Sequence, residues 1–413
     1  MFWFMISFIT NILGPLIPDI ISGFNLSNLA MAGFIPTFFF IAYAIMSIPS
    51  GILIDRFGEK PILISGVLAE LAGTFLFASY PTYPTLLISC FVVGLGMAMI
   101  QTVLNPLQRI AGGEENYAFV AELGQLMFGT ASFISPLVYT WLIKELNPEV
   151  YEKGKNLFLD SLAALTPEKL PWVSLYWIFT LILLTMLVAV SLSRIPRIEQ
   201  RRNSEAGSGT SYLKLFRQPY VWLFFLGIFS YVSTEQSTSI FMSTFLEKYH
   251  GVDPQIEGAR IVSYFWGCMT VGCLVGMVLL KFIDSKRILI CGGILAGTLL
   301  LLALFSPLNI AEIAFPAIGF SISMMFSIVF SLALNSASEH HGSFAGILCS
   351  GLAGGAGGPL IVSTIADATD LRTGMLFILF FIAYITSIGF WAKPLINNKT
   401  IKLSALLKKK NRQ

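Results

Sequence analysis

The stretch from Gly94 to Pro136 reads GLGMAMIQTVLNPLQRIAGGEENYAFVAELGQLMFGTASFISP, with a short polar turn at 112–116 between two apolar segments. Both segments carry polar side chains that hydrocarbon does not tolerate. These are Gln101, Asn105, Glu122 and Gln125. In a membrane, such groups are stable where they face the interior of a helix bundle or a watery cavity. The stretch therefore predicts two membrane helices beside a solute pathway.

Composition points the same way for the whole chain. The 413 residues are 55% hydrophobic and 12% charged, and the mean hydropathy is +0.76. A water-soluble domain could not cover so much apolar surface with so few charges. We therefore predict a polytopic membrane protein in contact with the lipid bilayer. The formal net charge of +3 is too small to indicate a nucleic-acid partner.

Twelve segments are long enough to cross a bilayer, because a helix needs about 20 apolar residues to span a core of about 30 Å. They begin near Phe2, Leu29, Pro61, Tyr83, Ala118, Trp172, Tyr220, Ile261, Ile288, Ile310, Ser343 and Gly374. The first segment lacks a basic leader, and prolines and Asp19 interrupt it, so we predict a retained helix instead of a signal peptide. The predicted class is all-α, with twelve transmembrane helices.

The basic residues are unevenly divided between the two sides of the membrane. By this topology, 19 of the 26 Lys and Arg residues fall on the side that carries both termini. The positive-inside bias places that side in the cytoplasm. We expect a multi-pass protein of the cell membrane (inner or plasma membrane) that acts as a monomer.

A basic stretch at 194–218 separates six segments from the other six. Transporters built from two repeats have this layout and bind substrate near the midplane between the halves. We predict an N-terminal six-helix bundle at 1–193, a cytoplasmic linker at 194–218, a C-terminal six-helix bundle at 219–396 and a basic cytoplasmic tail at 397–413.

The loop between the second and third segments carries the pattern G-x-x-x-D-R-x-G-x-K. Its residues are Gly51, Asp55, Arg56, Gly58 and Lys60. It resembles the signature cytoplasmic loop of the major facilitator superfamily. Gly58 allows a tight turn, and Asp55 can accept hydrogen bonds from helix N-terminal amides or pair with a base. The resemblance implies a latch that holds one face of the two halves closed.

Within that superfamily, the sequence resembles the fucose/glucose/galactose permease family. The likeness is carried by NILGPL at 11–16, GLG at 94–96, NP at 105–106, LGQ at 123–125, GGAGGP at 354–359 and AD at 366–367. It implies twelve helices, alternating access and cation-linked uptake of a monosaccharide. In that family, carboxylates on the first and fourth helices are associated with proton coupling. The matching positions here are Gly14 and Gln101, so this chain departs from the family at its proton site.

Glu235 lies in the middle of an apolar segment, among hydroxyls and the amide of Gln236. Intramembrane ionisable residues usually serve function, so we predict cation coupling there, by a proton or by a sodium ion held by neighbouring oxygens. The structural alternative is a protonated side chain hydrogen-bonded to other helices. Glu122 is a second candidate, with pairing to Arg109 or interface anchoring as the alternatives. Asp19 is a third, with a helix cap or solvated gate as its alternative.

Sugar recognition needs donors and acceptors for hydroxyls and an apolar face for the ring. The candidates are Asn11, Gln101, Asn105, Gln125, Gln236 and Asn335 for the hydroxyls, and Tyr264 and Trp266 for the ring. Each amide could instead join helices, and Trp266 could lie at the lipid interface.

The sequence contains no nucleophile elbow, zinc motif or nucleotide-binding loop. We therefore do not expect an enzyme or a resident cofactor. Apart from the sodium ion considered at Glu235, no metal site is expected. The leading hypothesis is a transporter that imports a monosaccharide by sodium or proton symport. An uncoupled facilitator, an exporter of another small polar or amphipathic solute, and a transport-inactive receptor or scaffold are the alternatives.

Overall fold

The structure is a computed structural model that describes residues 2–10, 12–26, 29–146, 154, 156–193, 214–252 and 257–400. In these ranges the chain forms α-helices and short 3-10 turns, and no strand occurs. The α-helices are α1 Phe2–Thr10, α2 Leu13–Gly23, α3 Leu29–Phe57, α4 Glu59–Ser79, α5 Tyr83–Gly112, α6 Tyr117–Glu145, α7 Leu157–Leu165, α8 Ser174–Leu192, α9 Pro219–His250, α10 Ala259–Phe282, α11 Ser285–Phe305, α12 Leu308–Ile322, α13 Met325–Leu334, α14 His341–Ser350, α15 Gly354–Ala368, α16 Leu371–Leu376 and α17 Ile378–Trp391.

These helices confirm the prediction of twelve membrane segments. The pairs α1–α2, α12–α13, α14–α15 and α16–α17 each make one broken segment, α7 is a short connecting helix, and the other helices make one segment each. Ten segments of the described chain are long and apolar enough to cross a membrane. The other two are the broken α1–α2 pair and α9, whose middle is rich in Ser, Thr, Glu and Gln.

Local sequence sets the ends of several helices. Thr82 and Thr85 form a reciprocal capping box at the start of α5, which satisfies amides that the first turn leaves unpaired. Gly58 between α3 and α4 has φ 84°, and Gly113 between α5 and α6 has φ 76°. Both values lie in the left-handed region that favours glycine. These tight turns make consecutive helices run in opposite directions.

The first half comprises α1–α8 and the second α9–α17. In the first half, α5 packs between α3 and α4, and α1 packs on α6. In the second half, α12 packs against α10 and α11, and α9 packs against α15 and α17. Gly94 of α5 permits the close approach to α3, because a Cβ there would stand 2.5 Å from the carbonyl oxygen of Phe39.

The two halves meet mainly near one side of the membrane, which we call the tail face because α17 ends there. The α5–α6 and α13–α14 turns lie at the same face. On α3, the contacts with α14 are extensive and those with α15 are few. The α6–α10 contacts run from Phe119 with Lys281 to Gly129 with Thr270. The halves are thus closed along the part of the membrane next to the tail face.

Candidate functional site

Glu122 lies in the contact between the two halves. It belongs to α6, it is 0% exposed, and its carboxyl group is next to Cys273 of α10 and Ser327 of α13. A Cβ on Gly276 would stand 3.4 Å from its Oε1. Among the described residues, neither carboxyl oxygen has a hydrogen-bond partner of normal geometry. Pairing with Arg109 and anchoring at the interface, the two alternatives raised from the sequence, are therefore both wrong.

Glu235 and Tyr231 lie on the neighbouring helix α9, one turn apart. The Glu235 side chain is partly exposed, and Gln236 Nε2 donates to its Oε1 at 3.0 Å. The Tyr231 hydroxyl is within hydrogen-bonding reach of Glu235 and lies in the neighbourhood of Glu122 and Cys273. This phenol, itself 3% exposed, is therefore a buried polar group near both acids.

Gln101 and Asn105 of α5 are both buried. The Tyr43 hydroxyl donates to Gln101 Oε1 at 2.5 Å. Asn105 Nδ2 donates to the Gln101 carbonyl at 2.9 Å and lies 3.8 Å from Cys349 Sγ of α14, in the other half. In this arrangement, these two amides join helices and do not point into open space.

A polar network at the tail face ties the halves together through Arg109, which is 5% exposed. Its guanidinium donates to Asn335 Oδ1 at 2.8 Å and lies 2.9 Å from His341 Nε2, both in the second half. It also pairs with Glu114 at 2.9 Å. Asn335 Nδ2 donates to the Glu114 carbonyl at 3.1 Å. We call this network the latch. Asn335 belongs to it, whereas the sequence predicted that Asn335 would bind the sugar.

The segment after α17 crosses the same face from the second half to the first. The Leu395 amide donates to the Asn335 carbonyl at 2.8 Å, and the Lys399 amide donates to the Glu115 carbonyl at 2.9 Å. Lys399 Nζ also pairs with Glu115 at 3.2 Å. We call residues 392–400 the strap. It covers the turn between α5 and α6.

The loop at 51–60 makes a different kind of contact. Lys60 Nζ donates to the carbonyls of Ser191 and Ser193 at 2.7 and 2.9 Å, so it caps the end of α8 within the first half. Arg56 is exposed and stacks over Phe57. The Asp55 side chain lies outside the described part. The latch residues that the structure does show between the halves are Arg109, Asn335 and His341.

Tyr264 and Trp266 lie on different sides of α10. Tyr264 is 55% exposed and lines an open, mainly apolar groove of about 690 Å³ formed by α10, α11 and α12. That groove is on the outer surface of the second half, which makes Tyr264 a poor stacking face for a sugar between the halves. Trp266 is partly buried and shares a helix face with Thr270, which contacts Gly129 of α6.

The structure says less about the four remaining candidates. Asn11 lies outside the described residues. Gln125 and Gln236 are partly buried, as is Asp19 of α2. The residues that the sequence analysis missed are Tyr43, Tyr231, Cys273, Ser327 and Cys349 around the amides and acids, and Glu114, His341 and Lys399 at the tail face. Arg109 was considered only as a partner of Glu122. A buried tyrosine or cysteine in an apolar segment gives no sequence signal for a partner on another helix.

The fold and the interhelical polar site define a class of membrane transporter. A sequence profile of the Major Facilitator Superfamily matches residues 3–361. The chain belongs to this superfamily.

Similar proteins cover almost the whole chain. A glucose/galactose transporter of Brucella abortus is 30% identical over 400 residues, which are 94% of this chain and 91% of that protein. The L-fucose-proton symporter of Escherichia coli is 23% identical over 354 residues, covering 80% and 77% of the two chains. Among solved structures, the transporter FucP in the outward conformation matches with a TM-score of 0.81 at 21% identity, over 95% of this chain and 97% of that one.

Proposed function

We propose that this protein imports a monosaccharide of the glucose, galactose or fucose type through alternating access, driven by cation symport. The observation that carries the proposal is the match over 94% of the chain to a glucose/galactose transporter. The tail face, which bears the basic residues, is the cytoplasmic side in this proposal, and both termini lie there.

The arrangement of the site supports this function. Gln236 and Glu235 of α9, Gln125 of α6 and Trp266 of α10 are all partly exposed, and α6 and α10 pack against each other across the two halves. Amides both donate to and accept from sugar hydroxyls, and an indole offers an apolar face. A cation at Glu235 would lower the cost of closing the space between the halves around the sugar. Binding drives closure because the ligand stabilises the closing states more than the open one.

The test is uptake of radiolabelled glucose, galactose and fucose into proteoliposomes under an imposed proton gradient, an imposed sodium gradient or neither. Glu235→Gln is measured beside Glu247→Gln, which changes an exposed acid on the same helix. Gradient-driven uptake that is lost in Glu235→Gln and kept in Glu247→Gln is the expected result, and the effective gradient names the cation.

Other outcomes decide between the alternatives. Equal uptake with and without gradients makes the protein a facilitator. An absence of uptake of all three sugars refutes the sugar proposal and favours an exporter of another solute or a receptor.

A further inference from the structure

Glu122 is inserted from the first half into a pocket of the second. An ionised carboxylate in this position would lose its hydration and gain no cation, with only the Ser327 hydroxyl and the Cys273 thiol beside it as possible donors, which is unfavourable. A protonated carboxyl group avoids most of that cost. The contact between α6 and the second half is therefore compatible with the neutral form of Glu122 and not with the charged one.

Among the described residues, no basic group pairs with Glu122. The titratable groups that interact with it are Cys273 of α10 and Tyr231 of α9, and Glu235 of α9 lies beside both of these. The thiol and phenol are ordinarily neutral, and an ionised Glu235 would add repulsion. In their described ranges, α1 and α13, which also pack on α6, contain no ionisable residue.

The nearest basic residues of the packed helices are used elsewhere. Arg109 of α5 is engaged with Glu114, Asn335 and His341 in the latch. Lys281 of α10 lies with its Nζ 4.6 Å from the centre of the Phe119 ring.

Glu122 lies about one and a half turns from the start of α6, near the tail face, so opening that face would withdraw its carboxyl group into water. We infer that Glu122 is the proton-binding group that gates closure of the tail face. It holds a proton while the halves are in contact. When the tail face opens, its O–H bond breaks and the proton passes to water on that side. This inference rests on the proposed function for its direction and deepens it by naming the coupling ion as a proton.

The chemistry of the pocket favours a proton over sodium. A hard cation needs several oxygen ligands, whereas the groups beside Glu122 include a thiol and one hydroxyl. Tyr231 is within hydrogen-bonding reach of the partly exposed Glu235, and this phenol can relay a proton that arrives from the opposite face towards Glu122. This arrangement replaces the family's carboxylates, whose matching positions here are Gly14 and Gln101.

Cys349 of α14 is a native reporter of closure. It is 0% exposed and lies against Asn105 of the other half. Its alkylation by a small maleimide is measured by peptide mass spectrometry at pH 6 and pH 8. The rate is divided by that of Cys90, which is buried within the first half, so the common pH dependence of thiols largely cancels. One proton coupled to opening changes the open-to-closed ratio by up to about tenfold per pH unit.

Four proteins are compared: the wild type, Glu122→Gln, Glu122→Met and Glu70→Gln. Glu70 is the matched control, because it is 1% exposed with both oxygens unpartnered among the described residues, yet it packs against Gly96 inside the first half. We expect the normalised rate to rise at pH 8 in the wild type and Glu70→Gln, and to stay low in both Glu122 variants. Glu122→Met gives a second test should Glu122→Gln fail to fold.

A wild-type rise that persists in the Glu122 variants, or that disappears in Glu70→Gln as well, overturns the inference. Protonation of His341 cannot mimic the expected result, because a positive imidazole would repel Arg109 and open the face at low pH. The labelling needs no sugar. A normal labelling response without sugar uptake refutes the proposed substrate alone, and sugar-proton symport without the labelling response refutes the role of Glu122 alone.

Discussion

Tyr231 carries a buried hydroxyl that lies near both Glu235 and Glu122. It comes from the same helix as Glu235 and is within hydrogen-bonding reach of that residue. A phenol can accept a proton from one acid while it donates its own proton to the other. The position of the Tyr231 hydroxyl therefore matters for proton movement.

Tyr231→Phe is therefore expected to reduce proton-driven uptake by about tenfold to a hundredfold, the size expected when a buried polar group loses its partner. Proton-gradient-driven accumulation of the transported sugar in proteoliposomes measures the effect. Tyr264→Phe removes an exposed hydroxyl from the outer groove and serves as the control. Equal accumulation by both variants would show that protons do not pass through Tyr231.

Asp370 gives a pH prediction at the opposite face. Hydrogen bonds from the Thr373 side chain and amide, and from the Tyr249 hydroxyl, lower the pKa of Asp370 from 3.8 to about 2. The carboxylate therefore stabilises the folded protein above pH 4, and this contribution is lost as the pH falls from 3.8 towards 2.

Thermal unfolding in detergent at pH 6 and pH 3 checks this. Asp370→Asn should lower Tm at pH 6, and the difference from the wild type should shrink at pH 3. Asp367→Asn changes an exposed acid nearby and should leave the wild-type pH dependence intact. A difference for Asp370→Asn that is the same at both pH values would contradict the lowered pKa.

The sequence singles out the acids of the apolar segments better than it predicts their surroundings. Glu235 and Glu122 are recognisable because an ionisable residue in an apolar segment is unusual. Cys273 and Ser327 are about 150 and 200 residues away from Glu122 and lie in the other half. Helical periodicity relates residues three or four positions apart, so it carries no information about such contacts.

At the scale of the helices, glycine sets the distance between neighbours. Gly94 lets α5 approach α3 so closely that a methyl group would collide with the Phe39 carbonyl oxygen, an atom that the helix holds in place. Gly354 and Gly358 of α15 pack in the same way on Phe229 and Ser233 of α9.

Gly94→Ala is accordingly expected to destabilise the protein by about 1–3 kcal/mol, the usual cost of overpacking. The comparison is Gly267→Ala in α10, where a Cβ would meet nothing within 4 Å. That substitution should be neutral or slightly stabilising, since alanine favours helix over glycine. The Tm of each variant is measured in the same detergent. Equal stability of the Gly94→Ala and Gly267→Ala proteins would contradict the packing argument.

Helix positions were predictable to within three residues at their starts, because length and hydropathy are properties of the local sequence. The break between α14 and α15 comes at 351–353, at the start of the glycine-rich stretch 351–358 that the sequence shows. The break between α12 and α13 near Ser323 has no comparable signal. Gly272 of α10 lies against Ser323 there, so that break belongs to tertiary packing.

For the whole molecule, the predicted all-α class with twelve membrane helices is confirmed, but the sequence directed attention to the loop at 51–60 as the latch. In this conformation the described contacts between the halves at the tail face pass through Arg109 and the strap. Which loops contact each other depends on the relative orientation of the two halves. Many contacts between distant residues determine that orientation, so the sequence of a single loop does not reveal it.

Arg109→Gln should raise the ratio of open to closed tail face by about tenfold or more, because Glu114 and Asn335 lose their buried partner. Limited proteolysis of the strap in proteoliposomes of known orientation gives the readout, since residues 395–399 detach when the face opens. Arg56→Gln removes an exposed arginine at the same face and should not change the cleavage rate. Equal cleavage of the two variants would show that Arg109 does not hold the face closed.

The strap also has a consequence for biosynthesis. Residues 395–399 follow all twelve membrane segments, yet they bind the turn between the fourth and fifth. During translation the first half is synthesised before the strap that binds its α5–α6 turn. The bond between the halves that these residues supply forms after the last transmembrane helix has left the translocon, which leaves newly inserted halves free to find their mutual orientation before it is fixed.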